Sequence, residues 1–158
     1  MFLDESGCNT DMTRRYAYSL GGSRSVDSAP LSKPKNTTIL SSIQLDGTLR
    51  YTTFSGGTTV ERFKRYLETD LLPHLNGNSV LIMDNMKSHH AKAVRNLLDS
   101  SGVRYIYLPP YSPDLNPIEK LWSKVKSFLR KFKARTLDAL PNEIQCAFQT
   151  VSPSDCSG

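Results

Sequence analysis

No stretch of this chain approaches the ~18 consecutive apolar residues that a membrane span requires, so no membrane partner is expected. Its three cysteines, Cys8, Cys146 and Cys156, are odd in number and lack the paired spacing of a zinc site. A disulfide framework is therefore excluded, and a reducing compartment fits better. Met1-Phe2-Leu3-Asp4-Glu5 has neither the basic flank nor the long apolar segment of a secretory leader, which makes a cytoplasmic location the expectation. Internal repeats and low-complexity tracts are also missing, which argues against a solenoid. What remains is an ordinary globular composition, 38% hydrophobic and 22% charged over 158 residues. That length suits one domain burying about two thirds of its unfolded surface.

Charge is present in one place above all. The net charge is +5 and the pI about 9.2, yet residues 120–135 alone hold Lys120, Lys124, Lys126, Arg130, Lys131, Lys133 and Arg135 with no acid among them. This local +7 exceeds the total, so the rest of the chain is net negative. Such a segment is either a solvated helix face or the footprint of a polyanion, with DNA phosphates as the expected partner.

The element pattern is mixed α/β. Short strands are expected at Phe2-Leu3, at Arg15-Tyr16-Ala17-Tyr18, and at residues 36–45 and 48–54, the last two joined by Asp46-Gly47 in a type I′ hairpin. These form an antiparallel unit at the start of the fold, and the polar stretch 21–36 reads as a loop. Thr58 and Glu61 suggest a capping box for a helix whose buried stripe is Val60, Phe63, Leu67 and Leu71, ending at Pro73. Residues 79–84 and 103–108 then read as buried parallel strands, and between them lies a helix patterned by Ala93, Val94, Leu97 and Leu98 that stops at Gly102.

Four prolines crowd residues 109–119, Pro-Pro-Tyr-Ser-Pro-Asp-Leu-Asn-Pro-Ile-Glu. Asn116 suits an N-cap, Pro117 the first helical position, and Glu119 the reciprocal position of a capping box. Ile118, Leu121, Trp122, Val125, Leu129 and Phe132 make the apolar stripe of the helix that follows. Asp4 and Asp84 each close an apolar strand signal, where open α/β sheets place functional groups. Two such aspartates and a glutamate at a rigidly held helix start repel one another by about 4 kcal/mol per pair at about 4 Å and an effective dielectric near 20. A fold tolerates that when a cation lies between them, and hard oxygen donors without zinc-type ligands suit Mg²⁺ or Mn²⁺. Glu5, Asp11, Asp99 and Asp114 are the competing acids, Asp114 being the closest rival of Glu119.

The blocks Phe-Leu-Asp-Glu-Ser-Gly (2–7), Leu-Ile-Met-Asp-Asn-Met-Lys-Ser-His-His (81–90) and Leu-Pro-Pro-Tyr-Ser-Pro-Asp-Leu-Asn-Pro-Ile-Glu (108–119) resemble, in order, the signature blocks of the DDE transposases of bacterial insertion sequences in the mariner-like superfamily. The 34 residues between Asp84 and Glu119 match the spacing of the insertion-sequence branch. The resemblance implies a ribonuclease-H-like fold, a mixed sheet with an antiparallel three-strand unit first and parallel strands flanked by helices. It further implies that Asp4, Asp84 and Glu119 are catalytic and hold two Mg²⁺ or Mn²⁺ ions per site for DNA strand cleavage and strand transfer. Asn85 and His89 match the second block and are expected to support the site. The implied partners are transposon ends and target DNA, with a homodimer as the active assembly and a bacterial, nucleoid-associated location. Residues 1–158 are expected to be one catalytic domain lacking the N-terminal helix-turn-helix region of such proteins, its first strand shortened on the N-terminal side. The alternatives are a ribonuclease-H-like nuclease without strand transfer and a catalytically idle DNA-binding fragment.

Overall fold

The computed structural model describes residues 1–14, 16–28, 34–110 and 112–156. Five strands form one mixed sheet: β1 (Phe2–Cys8), β2 (Thr37–Ile43), β3 (Leu49–Ser55), β4 (Val80–Met83) and β5 (Arg104–Tyr107). Their order is β3-β2-β1-β4-β5. The first three run antiparallel to their neighbours, while β1–β4 and β4–β5 are parallel. This is the mixed sheet that the sequence pattern predicts. Tyr16–Tyr18 departs from it. Those residues lie outside the sheet with both tyrosine side chains in solvent, and the expected start of that strand, Arg15, lies outside the described residues.

Alternation along the central strands feeds two cores. Leu3 and Leu40 point to one face, where they meet Phe63, Tyr66, Leu67, Leu71, Leu81, Met83, Val94 and Leu98. Ile39, Ile43 and Cys8 point to the other, against Ile118, Leu121, Trp122, Val125, Ile144 and Phe148. The first face is covered by α1 (Val60–Tyr66) and α2 (Lys92–Ser101), the second by α3 (Ile118–Phe132), α4 (Leu140–Gln149) and the short α5 (Pro153–Cys156). Packing on both faces buries most of β1 and β2, whereas β5 is an edge strand whose Ile106 is 55% exposed. Its apolar run reads as buried only because periodicity does not tell an edge from a centre.

Local chemistry differs from the sequence expectation in three further places. The hairpin between β2 and β3 has the central residues Leu45, Asp46 and Gly47. Gly47 N donates to Gln44 O, and only Gly47 has positive φ (91°). A type I′ turn would need Asp46 there too, so this is the three-residue turn with a glycine bulge. The cap of α1 is Thr59, whose side chain accepts from Arg62 N at 3.3 Å, one residue later than the Thr58–Glu61 box. Beyond Tyr66 the helix widens to a π-helical stretch, Leu67–Leu71, and closes as a 3-10 turn through Pro73. Among the described residues no helix is long and apolar enough to cross a membrane.

Candidate active site

Strand register brings the first two acids together. β1 pairs with β4 only at Phe2↔Ile82 and Leu3↔Met83, so Asp4 and Asp84 are the next residues along on adjacent strands. β4 stops at Met83, but β1 continues beside β2 to Cys8, which leaves Asp4 inside its strand rather than at its end. Leu108 N then donates to Met83 O at 2.8 Å, anchoring the proline-rich segment across the end of β4. A 3-10 turn, Pro113–Leu115, leads into α3 and sets Glu119 in its first turn.

Asp4, Asp84 and Glu119 line a single open cleft of about 510 Å³ with Asn85, Met86, Leu108, Pro109, Pro110, Ser112, Pro113 and Asn116. No lysine, arginine or histidine is among the described residues of that lining. Among the described residues, the three ligand-type side chains that approach within 4.8 Å of one another are Glu5, Asp84 and His89. At least one separation in the Asp4–Asp84–Glu119 set is therefore larger, so the acids surround the cleft without closing on one point. Asp114 is exposed and stands outside the lining.

Each acid has a different environment. Asp4 is 7% exposed. Its Oδ1 accepts from Glu5 N at 2.8 Å, its Oδ2 accepts from Trp122 Nε1 at 3.0 Å, and Asn116 Nδ2 lies 3.5 Å from Oδ2. Burial pushes its carboxyl up to about 7; the hydrogen bonds from Glu5 and Trp122 work the other way, and the charges of Asp84 and Glu5 add to the rise. Asp84 is partly buried, and its Oδ1 takes bonds from His89 Nδ1 at 2.7 Å and from Met86 N at 3.2 Å. Glu119 is exposed and its carboxylate bonds to none of the described residues. It does not reach back as a capping box would. Asn116 has the extended backbone of a cap, but its side chain turns to Asp4 and leaves Oδ1 buried without a partner among the described residues.

Asn85 sits exposed at the cleft, with its Oδ1 against His90 Nε2, and the His90 ring tilts over Tyr107 at 4.0 Å. His89 is fully buried behind the sheet end, stacked on Phe63 at 4.1 Å and lying between Asp84 and Glu5. Burial of the ring opposes its protonation, but the hydrogen bonds and charges of Asp84 and Glu5 outweigh that and hold it up to about 10. Sequence reasoning assigned no site role to Trp122, Asn116 or Glu5. Trp122 is buried core as expected from the helical stripe, and the reach of its N–H across 118 residues had no local signal.

The basic segment divides in two. Lys124 pairs with Asp155 at 2.6 Å, Lys133 pairs with Asp27, and Arg135 donates to the carbonyls of Thr10, Met12 and Ser28. Lys120, Lys126 and Arg130 have no such partner among the described residues, and Lys131 lies 5.5 Å over the Phe132 ring. Phe132 is itself half exposed, stacked on Phe128 rather than inserted in the core as its place in the stripe suggests.

Residues 1–141 match the family described as DDE superfamily endonuclease. The Tc1 transposable-element transposase of Caenorhabditis elegans is 29% identical over 97 residues, 59% of this chain and 36% of that protein. The Mos1 transposase paired-end complex with the left transposon end superposes with a TM-score of 0.79 at 19% identity, covering 99% of this chain and 49% of the other. A crystal structure of the Mos1 mariner paired-end complex with Mn gives 0.77 at the same identity and coverage. The chain thus spans about a third of the Tc1 protein and about half of the Mos1 chain.

Proposed function

Since the chain belongs to the DDE superfamily endonuclease family, we propose that it is the catalytic domain of a DDE transposase in which Asp4, Asp84 and Glu119 do the chemistry on DNA. The observation that carries this reading is a cleft with three carboxylates from three separate elements and no cationic side chain in its described lining. Uncompensated carboxylates repel, and the burial that raises Asp4 adds to the cost. A divalent cation offsets both. The donor set fits one, because Glu119 and Asp84 Oδ2 are free of bonds to described residues and all the donors are hard oxygens. We assign Asp4, Asp84 and Glu119 as the holders of two Mg²⁺ or Mn²⁺ ions. Bound there, such ions supply Lewis-acid stabilisation of phosphoryl oxygens and a more acidic attacking water.

The residues of the chain do the positioning. Trp122 and Glu5 N hold the Asp4 carboxylate, and Met86 N and His89 hold one oxygen of Asp84. The proline-rich segment fixes the start of α3 and with it Glu119. The assigned reaction is cleavage of a phosphodiester at a transposon end, followed by attack of the freed 3′-hydroxyl on target DNA, in a homodimer. Lys120, Lys126, Arg130 and Lys131 lie along α3 beyond Glu119 and suit phosphate contact. Lys124, Lys133 and Arg135 belong to the same DNA-binding segment, but their intramolecular partners give them a holding role as well. Asn85 lines the same cleft as the acids and is assigned a supporting contact to the scissile phosphate. We take residues 1–158 as one catalytic domain, with the reading of terminal repeats lying outside it. The 34-residue spacing from Asp84 to Glu119 supports a bacterial insertion sequence as the source, with a nucleoid-associated protein as its product.

Nicking of supercoiled plasmid by the chain with Mn²⁺, scored together with joined products, tests the reading. Asp84→Asn and Glu119→Gln should each reduce nicking at least about 100-fold, the scale on which misplacing a catalytic group by about 1 Å already acts. Asp114→Asn should leave it unchanged. Equal loss from Asp114→Asn would overturn the assignment, and nicking without joined products would favour a plain nuclease.

A further inference from the structure

Asp4 and Glu5 are consecutive on β1, so their side chains leave opposite faces of the sheet. Asp4 enters the cleft. Glu5 goes behind it, where its side chain is 7% exposed, and its Oε1 meets His89 Nε2 at 3.1 Å. The other nitrogen of the same ring, Nδ1, meets Asp84 Oδ1 at 2.7 Å. The residue is held beyond these bonds: Phe63 stacks on the ring at 4.1 Å, and Tyr107 Oη donates to the His89 backbone carbonyl at 3.0 Å. Burying a carboxylate and an imidazolium together carries a desolvation cost that their attraction offsets only in part, and Glu5 Oε2 has no hydrogen-bond partner among the described residues. An apolar residue at position 5 would pack there without that cost. The chain Glu5–His89–Asp84 ends on one oxygen of Asp84 and leaves the other, Oδ2, without a bond to the described residues.

We propose that Glu5 is a positioning residue: through His89 it fixes the Asp84 carboxylate so that Oδ2 is presented to a divalent cation in the cleft. The inference rests on the reading of Asp84 as a ligand. It assigns the glutamate next to Asp4 a role in the site although its side chain never enters the cleft. The arrangement is that of an outer partner orienting an inner ligand, a kind of contact worth about 10- to 100-fold in metal affinity.

The test is Mn²⁺ binding to the chain without DNA, followed by the loss of the free-ion electron paramagnetic resonance signal. Four variants are compared with wild type at a temperature where each remains folded by circular dichroism. Glu5→Met fills the volume but offers His89 no acceptor, and it should weaken Mn²⁺ binding at least about tenfold. Glu5→Gln keeps an acceptor at Nε2 and should stay within about threefold of wild type, because what it preserves is orientation rather than charge. Should Glu5→Met fail to fold, Glu5→Asp takes its place, since it keeps the acid but withdraws it from Nε2, and the same loss is expected. Asp84→Asn should lose binding altogether. Wild-type affinity in Glu5→Met, or in Glu5→Asp where that variant replaces it, with binding lost in Asp84→Asn, overturns the role of Glu5 and leaves Asp84 as the ligand. Equal losses in Glu5→Gln and Glu5→Met overturn it too, since an intact acceptor would then contribute nothing. Wild-type affinity in Asp84→Asn overturns the ligand reading itself.

Discussion

Trp122 shows how one side chain can belong to core and site together. It is 3% exposed, packs edge-on against Phe148 with centroids 6.5 Å apart, and donates its N–H to Asp4 Oδ2. Trp122→Phe keeps most of the packing and removes the donor. At about pH 9, above the Asp4 value of about 7, it should cost about 1.5–3 kcal/mol of stability, the range for a hydrogen bond to a charged group, as read from urea unfolding. A change under about 0.5 kcal/mol would mean that the bond contributes nothing. The three acids themselves were legible because each follows an apolar run or opens a helix. Their supports were not, since Asn116, Trp122 and Glu5 act through contacts 84 to 118 residues away in sequence.

At the scale of elements, α3 carries the candidate ligand Glu119 in its first turn and is tied along its flank to α5. Lys124 bonds Asp155, whose side chain also accepts from Ser152 N and Oγ. The Lys124 bond first, and then the Ser152 bonds, hold the Asp155 carboxyl well below the ordinary carboxylate range. A depressed pKa contributes stability above the unfolded value of about 3.9, and that stability is lost progressively as pH falls below it. Acidification from about pH 5 to 2 should therefore loosen α5 and expose Cys156, which is 0% exposed at rest. Labelling by 4,4′-dithiodipyridine in a Cys146→Ser background would follow it, and a constant labelling rate over that range would show that packing alone holds α5. The helices over 60–72, 92–101 and 118–132 were readable from apolar spacing. The helix α4 was not, because Pro141 and the polar residues between Leu140, Ile144, Ala147 and Phe148 dilute its stripe. The edge position of β5 had no sequence signal, since an edge is set by which strands fail to arrive beside it.

For the molecule as a whole, the distribution of charge sets how it would meet DNA. Of the seven cations in residues 120–135, three are engaged internally, which leaves Lys120, Lys126, Arg130 and Lys131. If these four neutralise phosphates, log K should fall against log salt with a slope of about −3.6. Lys120→Ala with Lys131→Ala should reduce the slope by about 1.8. A terminal repeat and a scrambled duplex should bind alike, because phosphate contacts carry no base-edge reading. A tenfold preference for the repeat, about 1.4 kcal/mol, would place sequence reading within these residues.

β1 comes first in the chain and lies at the centre of the sheet, with β2 on one side and β4 on the other. During synthesis on the ribosome, Asp4 is made long before Asp84 and Glu119, and its strand cannot complete its parallel pairing until β4 has been translated. The pairings that bring the three acids to one cleft are long-range in sequence, so they form late and together. A chain stopped before α3 therefore holds at most two of the three acids. On the reading proposed above, the three-acid cleft is complete only when translation has passed α3.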